Sequence, residues 1–146
     1  MNRWLRVVIV GAVLIATTGI GYAVTAGPAR AEAPLGPGLV TIYVDIHYSH
    51  FSLDATKVRR GTTVRFLVRN EDPINHEFIV GDASVHARHQ RGTDLRHPPV
   101  PGEVSVGPDD TGVTFYVFDR IGEIEYACHL PGHLAYGMVG EITVLP

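Results

Sequence analysis

The fold is decided by Glu123-Ile124-Glu125-Tyr126-Ala127-Cys128-His129-Leu130-Pro131-Gly132-His133-Leu134-Ala135-Tyr136-Gly137-Met138-Val139-Gly140-Glu141-Ile142-Thr143-Val144-Leu145. Both ends of this stretch alternate side chains at a period of two, the pattern of strands with one buried face. In a strand from Glu123 to Cys128, Ile124, Tyr126 and Cys128 share one face and Glu123, Glu125 and Ala127 the other. Cys128 therefore ends a core-facing row. Val139 to Leu145 is the next strand, and Pro131-Gly132 supplies a tight turn between the two. Cys128 and Met138 stand at the two lips of one hairpin loop, with His133 midway between them.

Cys128 is the single cysteine of the chain, and Met138 is the only methionine besides the initiator. No disulfide within the chain is possible. A thiol, an imidazole and a thioether in one loop, with a second imidazole, His76, opening an upstream apolar run, form a donor set suited to copper cycling between Cu(I) and Cu(II). Zinc more often takes Cys/His sets that close a tetrahedron and gains little from a thioether. Taken alone, Cys128 reads as an ordinary buried cysteine and Met138 as a core filler. Their company in one loop changes that reading. His129 follows Cys128 directly, faces the opposite side of the strand and is not counted as a ligand.

His76 followed by Cys128-x4-His133-x4-Met138, the Pro131-Gly132-His133 tripeptide and the closing strand from Gly137 to Val144 resemble the cupredoxins, the small blue copper proteins. The Cys-to-Met loop is more similar to that of the rusticyanin, auracyanin and sulfocyanin group than to the shorter one of plastocyanin. The resemblance covers residues 39–146. It implies His76, Cys128 and His133 as strong in-plane ligands of one copper ion and Met138 as the weak axial one. Many relatives place Asn or Ser directly after the first histidine to brace the ligand loop, whereas this chain has Glu77 there and Asn75 before it.

The chain begins with Arg3 and Arg6 ahead of an uncharged run from Val7 to Pro28, and Ala29-Arg30-Ala31 fits a small-x-small cleavage site. This reads as a secretory signal over residues 1–31. The alternative is an uncleaved anchor, since about 20 apolar residues can span a bilayer. Residues 32–38 are a Pro/Gly linker and 39–146 one domain with one core. Without Arg3, Arg6 and Arg30 the formal charge falls to -6 from the -3 of the full chain, which argues against a nucleic-acid partner. Export to the periplasm, the cell exterior or the outer face of the cytoplasmic membrane follows, and the domain is expected to be a monomer. A lone cysteine in an oxidising compartment needs protection, and metal ligation provides it.

Further strands are expected where the period of two recurs. Val40, Ile42, Val44 and Ile46 form one row; Val64, Phe66 and Val68 another; His76, Phe78 and Val80 a third. Lys57 to Arg60 reads as a short exposed segment, and Val104 to Val106 as a short strand. Val113 to Asp119 is apolar on both faces, which suits a central strand. From Gly81 to Gly102 the pattern disappears in a long connection, where His86, His89 and His97 read as solvated loop residues and a second copper or zinc site as a minor alternative. About seven short strands at this spacing mean an all-β antiparallel sandwich. The resemblance implies its Greek-key form.

Three functions are open at this point. The first is one-electron transfer between redox partner proteins, with the His133 edge, among Leu130, Pro131, Leu134, Ala135 and Tyr136, as the electron port. The second is a copper carrier or sink serving an exported copper enzyme. The third, a thiol hydrolase using Cys128, leaves Met138 without a role. The preferred reading is not an enzyme.

Overall fold

The computed structural model describes residues 33–92 and 96–146. The reading of residues 1–31 as a signal or anchor lies outside them. Among the described residues no helix is long and apolar enough to cross a membrane.

Among the described residues nine strands form two sheets packed face to face. One holds β1 (Gly38–His47), β2 (His50–Phe51), β4 (Thr62–Asn70) and β7 (Thr111–Phe118), in the order β2-β1-β4-β7. The other holds β3 (Thr56–Arg59), β5 (His76–Gly81), β6 (Glu103–Val106), β8 (Gly122–Ala127) and β9 (Val139–Leu145), in the order β3-β9-β8-β5-β6. Most neighbours run antiparallel, while β1 with β4 and β3 with β9 run parallel. Leu35, within the Pro/Gly stretch, makes an isolated bridge to Val58 of β3.

The alternating rows meet between the sheets. Ile42, Val44 and Ile46 of β1 and Val64, Phe66 and Val68 of β4 oppose Phe78 and Val80 of β5, Tyr126 of β8, and Ile142 and Val144 of β9. Each fully buried aromatic or branched side chain contributes roughly 1.5–3 kcal/mol through the apolar surface it removes from water. Phe66 and Phe78, both with no exposed surface, touch at 5.0 Å between ring centroids and tie the two layers at mid-height.

Three expectations need correction. The segment read as short and exposed at Lys57 to Arg60 lies mostly in strand β3, and though Lys57, Arg59 and Arg60 are exposed, Val58 is fully buried in the strand beside β9. β7 is an edge strand rather than a central one: Thr114 and Phe118 face the core, while Val113, Phe115 and Val117 are exposed. Apolar residues on both faces of a strand do not say how many neighbours it has. The connection after β5 contains helix α1 (Ala83–Gln90), capped by Asp82, whose carboxylate accepts from the N–H groups of Ser84 at 2.9 Å and Val85 at 3.2 Å. Its buried residues are His86 and His89, so counting aliphatic residues could not detect the helical period.

Candidate metal centre

β5 and β8 are hydrogen-bonded neighbours, Ile79 to Gly81 pairing with Ala127 back to Glu125, so the start of one lies near the end of the other. His76 opens β5 and Cys128 follows β8, and neither has any exposed surface. The Cys128 N–H donates to the Met138 carbonyl at 3.0 Å and the Met138 N–H to the His133 carbonyl at 3.1 Å, which closes the loop on itself. Within it, α2 (His133–Tyr136) is a single turn between Gly132 and Gly137, at φ 87° and 108°. Those left-handed values suit residues without a Cβ and let so short a loop reverse twice.

The result gathers the expected side chains. The Cys128 sulfur lies 3.2 Å from Nδ1 of His133, the His76 and His133 rings are 4.8 Å apart between centroids, and one donor atom from each of the three falls within 4.8 Å of the others. Met138 is fully buried in the same apolar cluster as Cys128. His129 belongs to a different group, as its place on the strand suggested. Of the residues expected to rim His133, Pro131, Ala135 and Tyr136 are exposed and Leu134 half-buried. Leu130 is instead buried in the core, because the turn at Pro131 comes after it.

Residues that sequence reasoning did not assign hold this arrangement. The Nε2–H of His76 donates to Asp72 Oδ2 at 3.0 Å, and the two Asp72 oxygens accept from the N–H groups of Tyr48 and Ser49, each at 2.7 Å. Asn70 accepts from the Asp72 N–H at 2.9 Å and donates to the carbonyls of Ile74 at 2.7 Å and Gly107 at 2.8 Å. Asn70 and Asp72 were legible only as strand breakers; the available signal was a carboxylate four residues before a histidine in the same turn. Glu77, where relatives carry Asn or Ser, is fully buried and braces the loop through Oε1, which accepts from the His129 N–H at 2.8 Å.

The electrostatics are those of a site built for a cation. Burial pushes the Cys128 thiol up to about 11, against the opposing pull of the Glu77 and Leu130 N–H groups. Burial also lowers both His76 and His133, with the facing His133 adding to the effect on His76 and Asp72 opposing it. Burial acts to raise Asp72, but the Ser49 and Tyr48 N–H groups and His76 outweigh it and hold the carboxyl below its usual range. Nδ1 of His76 is buried with no hydrogen-bond partner. With Nε2–H donated to Asp72, Nδ1 of the neutral ring carries a lone pair. The 3.2 Å between the Cys128 sulfur and Nδ1 of His133 is within reach of one ion that would bond nitrogen and sulfur donors at about 2.0–2.3 Å.

The chain belongs to the plastocyanin/azurin family of copper binding proteins, whose model matches residues 40–145. It is a copper-binding cupredoxin. It is 29% identical to the copper-resistant cuproprotein CopI of Pseudomonas aeruginosa over 86% of this chain and 90% of that protein. It is 41% identical to the protein of the same description in Rubrivivax gelatinosus, over 60% of this chain and 54% of that protein. Among solved structures, the reduced auracyanin of Roseiflexus castenholzii superposes with a TM-score of 0.59 at 20% identity, over 73% of this chain and 97% of that one. That likeness shows the fold. The donor set fits the family's ion: a thiol, two imidazoles and a thioether suit copper better than harder metals.

Proposed function

We propose that His76, Cys128 and His133 hold the copper in plane, that Met138 is its weak axial donor, and that the protein carries single electrons between partners outside the cytoplasm. The single observation that carries this reading is the buried, unpartnered Nδ1 of His76 beside the buried Cys128 sulfur. Bound copper supplies the Cu(II)/Cu(I) couple. The protein's part is to keep the donors still, so that both states share one geometry and little reorganises when an electron moves. The ties from Asp72, Glu77 and the loop carbonyls do this. His76, Cys128 and Met138 are sealed from water and only the His133 side approaches the surface, so a partner docking over Pro131, Ala135 and Tyr136 has the shortest path to the centre. Residues 1–31 act as the export signal or anchor, and 39–146 form the working domain.

A second reading, that the chain handles copper as cargo or sink for an exported copper enzyme, is favoured by the descriptions of its relatives as copper-resistant cuproproteins. Burial of three of the four donors supports the electron carrier, because copper release would require the loop to open. Cu(II) added to the protein gives an intense thiolate charge-transfer band in the visible, absent in Cys128→Ala; an unchanged spectrum in that variant overturns the ligand assignment. The loaded protein then shows a reversible one-electron wave and keeps its copper against a chelator. Rapid loss of copper to the chelator selects the cargo reading.

A further inference from the structure

The sequence alternates across β5 and at the end of β8, so His76 and Cys128 point into the gap between the sheets while their neighbours Glu77 and His129 point the other way, toward α1. Behind the copper centre lies a second group of donors. Glu77, His89 and His97 each offer an atom within 4.8 Å of the others, with Glu77 and His89 buried and His97 mostly so.

The outward contacts of the two imidazoles fix which nitrogens face inward. The Nε2–H of His89 donates to Glu103 Oε2 at 2.9 Å, and the Nδ1–H of His97 donates to the Pro98 carbonyl at 3.0 Å. Nδ1 of His89 and Nε2 of His97 then face the two oxygens of Glu77, at 3.7 Å and 3.9 Å. Both separations are too long for a hydrogen bond and close to those of two ligands on one ion. Nε2 of His97 is buried without a hydrogen-bond partner. A carboxylate or carbonyl on the far nitrogen of each histidine is the outer arrangement that orients metal-bound imidazoles. Glu77 and Glu103, against the single guanidinium of Arg88, leave a net negative charge for a dication to offset. A cleft of about 330 Å³, lined by Arg88, His89, His97, Pro98 and Glu103, opens onto the group and gives an ion its route in.

We propose that Glu77, His89 and His97 form a second metal site, for a divalent borderline cation, zinc or Cu(II). Imidazole and carboxylate donors suit these ions. Cu(I) is disfavoured because the only sulfur donors of the described chain, Cys128 and Met138, lie in the other group. The site does not depend on the assignment of the copper ligands.

Zinc titrated calorimetrically into the copper-loaded protein takes up one further equivalent. His97→Gln and His89→Gln each weaken that uptake at least tenfold while leaving the visible copper band in place, which also reports that the variants are folded. Cys128→Ser, which disables the sulfur-containing centre, keeps the His97-dependent zinc equivalent, so failure of one assignment is read separately from failure of the other. No second equivalent in the unaltered protein, or a second equivalent indifferent to both histidine substitutions, overturns the proposal.

Discussion

The two faces of one dipeptide step make the sharpest contrast in the molecule. On the inner face, between the sheets, His76 and Cys128 meet His133 in a group that contains sulfur and is fastened by backbone hydrogen bonds across a short loop. On the outer face, Glu77 lies against His89 and His97 in a group made only of nitrogen and oxygen, held by a two-turn helix and a long connection. Adjacent residues on a strand cannot share a face, so His76-Glu77 and Cys128-His129 each give one side chain to either side. The same backbone thus presents soft donors inward and harder donors outward. His76, Cys128 and Met138 of the inner group adjoin or open strands and His133 sits on the single turn α2, whereas His89 of the outer group is carried by α1.

The contrast can be broken from either side. Asp72→Ala removes the acceptor that orients His76 and the tie to the Tyr48-Ser49 turn; copper affinity is expected to fall on the order of 10- to 100-fold, with the zinc equivalent of the outer group unchanged. A copper competition titration measures it, and equal weakening at both faces would mean that Asp72 supports the fold and not one site. Met138→Leu keeps the copper but raises its reduction potential, because a lost thioether removes donation that favours Cu(II). A shift on the order of 59 mV corresponds to a tenfold change in the relative affinity for the two states. Voltammetry reads it directly, and loss of copper altogether would make Met138 more than an axial contact.

The smallest effect is expected at Asp82, which caps α1, the helix that carries His89. Hydrogen bonds from the Ser84 side chain and from the Val85 and Ser84 N–H groups hold its carboxyl at about 2, below the ordinary 3.8. A depressed carboxyl stabilises the fold above its unfolded value and loses that contribution as pH falls through the folded one. The melting-temperature advantage over Asp82→Ala is therefore full above pH 3.8 and fades towards pH 2. An advantage that persists below pH 2 would trace to packing of the side chain and not to its charge.

The legibility of each face follows its chemistry. The inner group could be read because rare residues in a short span are informative: one cysteine and one internal methionine flank a histidine within a single hairpin loop. The outer group was read chiefly as solvated loop because His89 occupies the core-facing stripe of α1, where the usual marker is aliphatic, and His97 lies in the connection beyond it. Likewise β3 was hidden by its charged neighbours, though Val58 alone carries its burial.

By itself the sequence determined the strands with strict alternation, the hairpin that carries Cys128, His133 and Met138, and the choice of copper, because a period of two and a donor set are properties of the chain. Only the tertiary structure decided which strand is an edge, which polar residues brace His76, and that Glu77, His89 and His97 meet. Those depend on which strands become neighbours across a sheet and on what covers its far side, and residues that far apart in the chain leave no local pattern of their meeting.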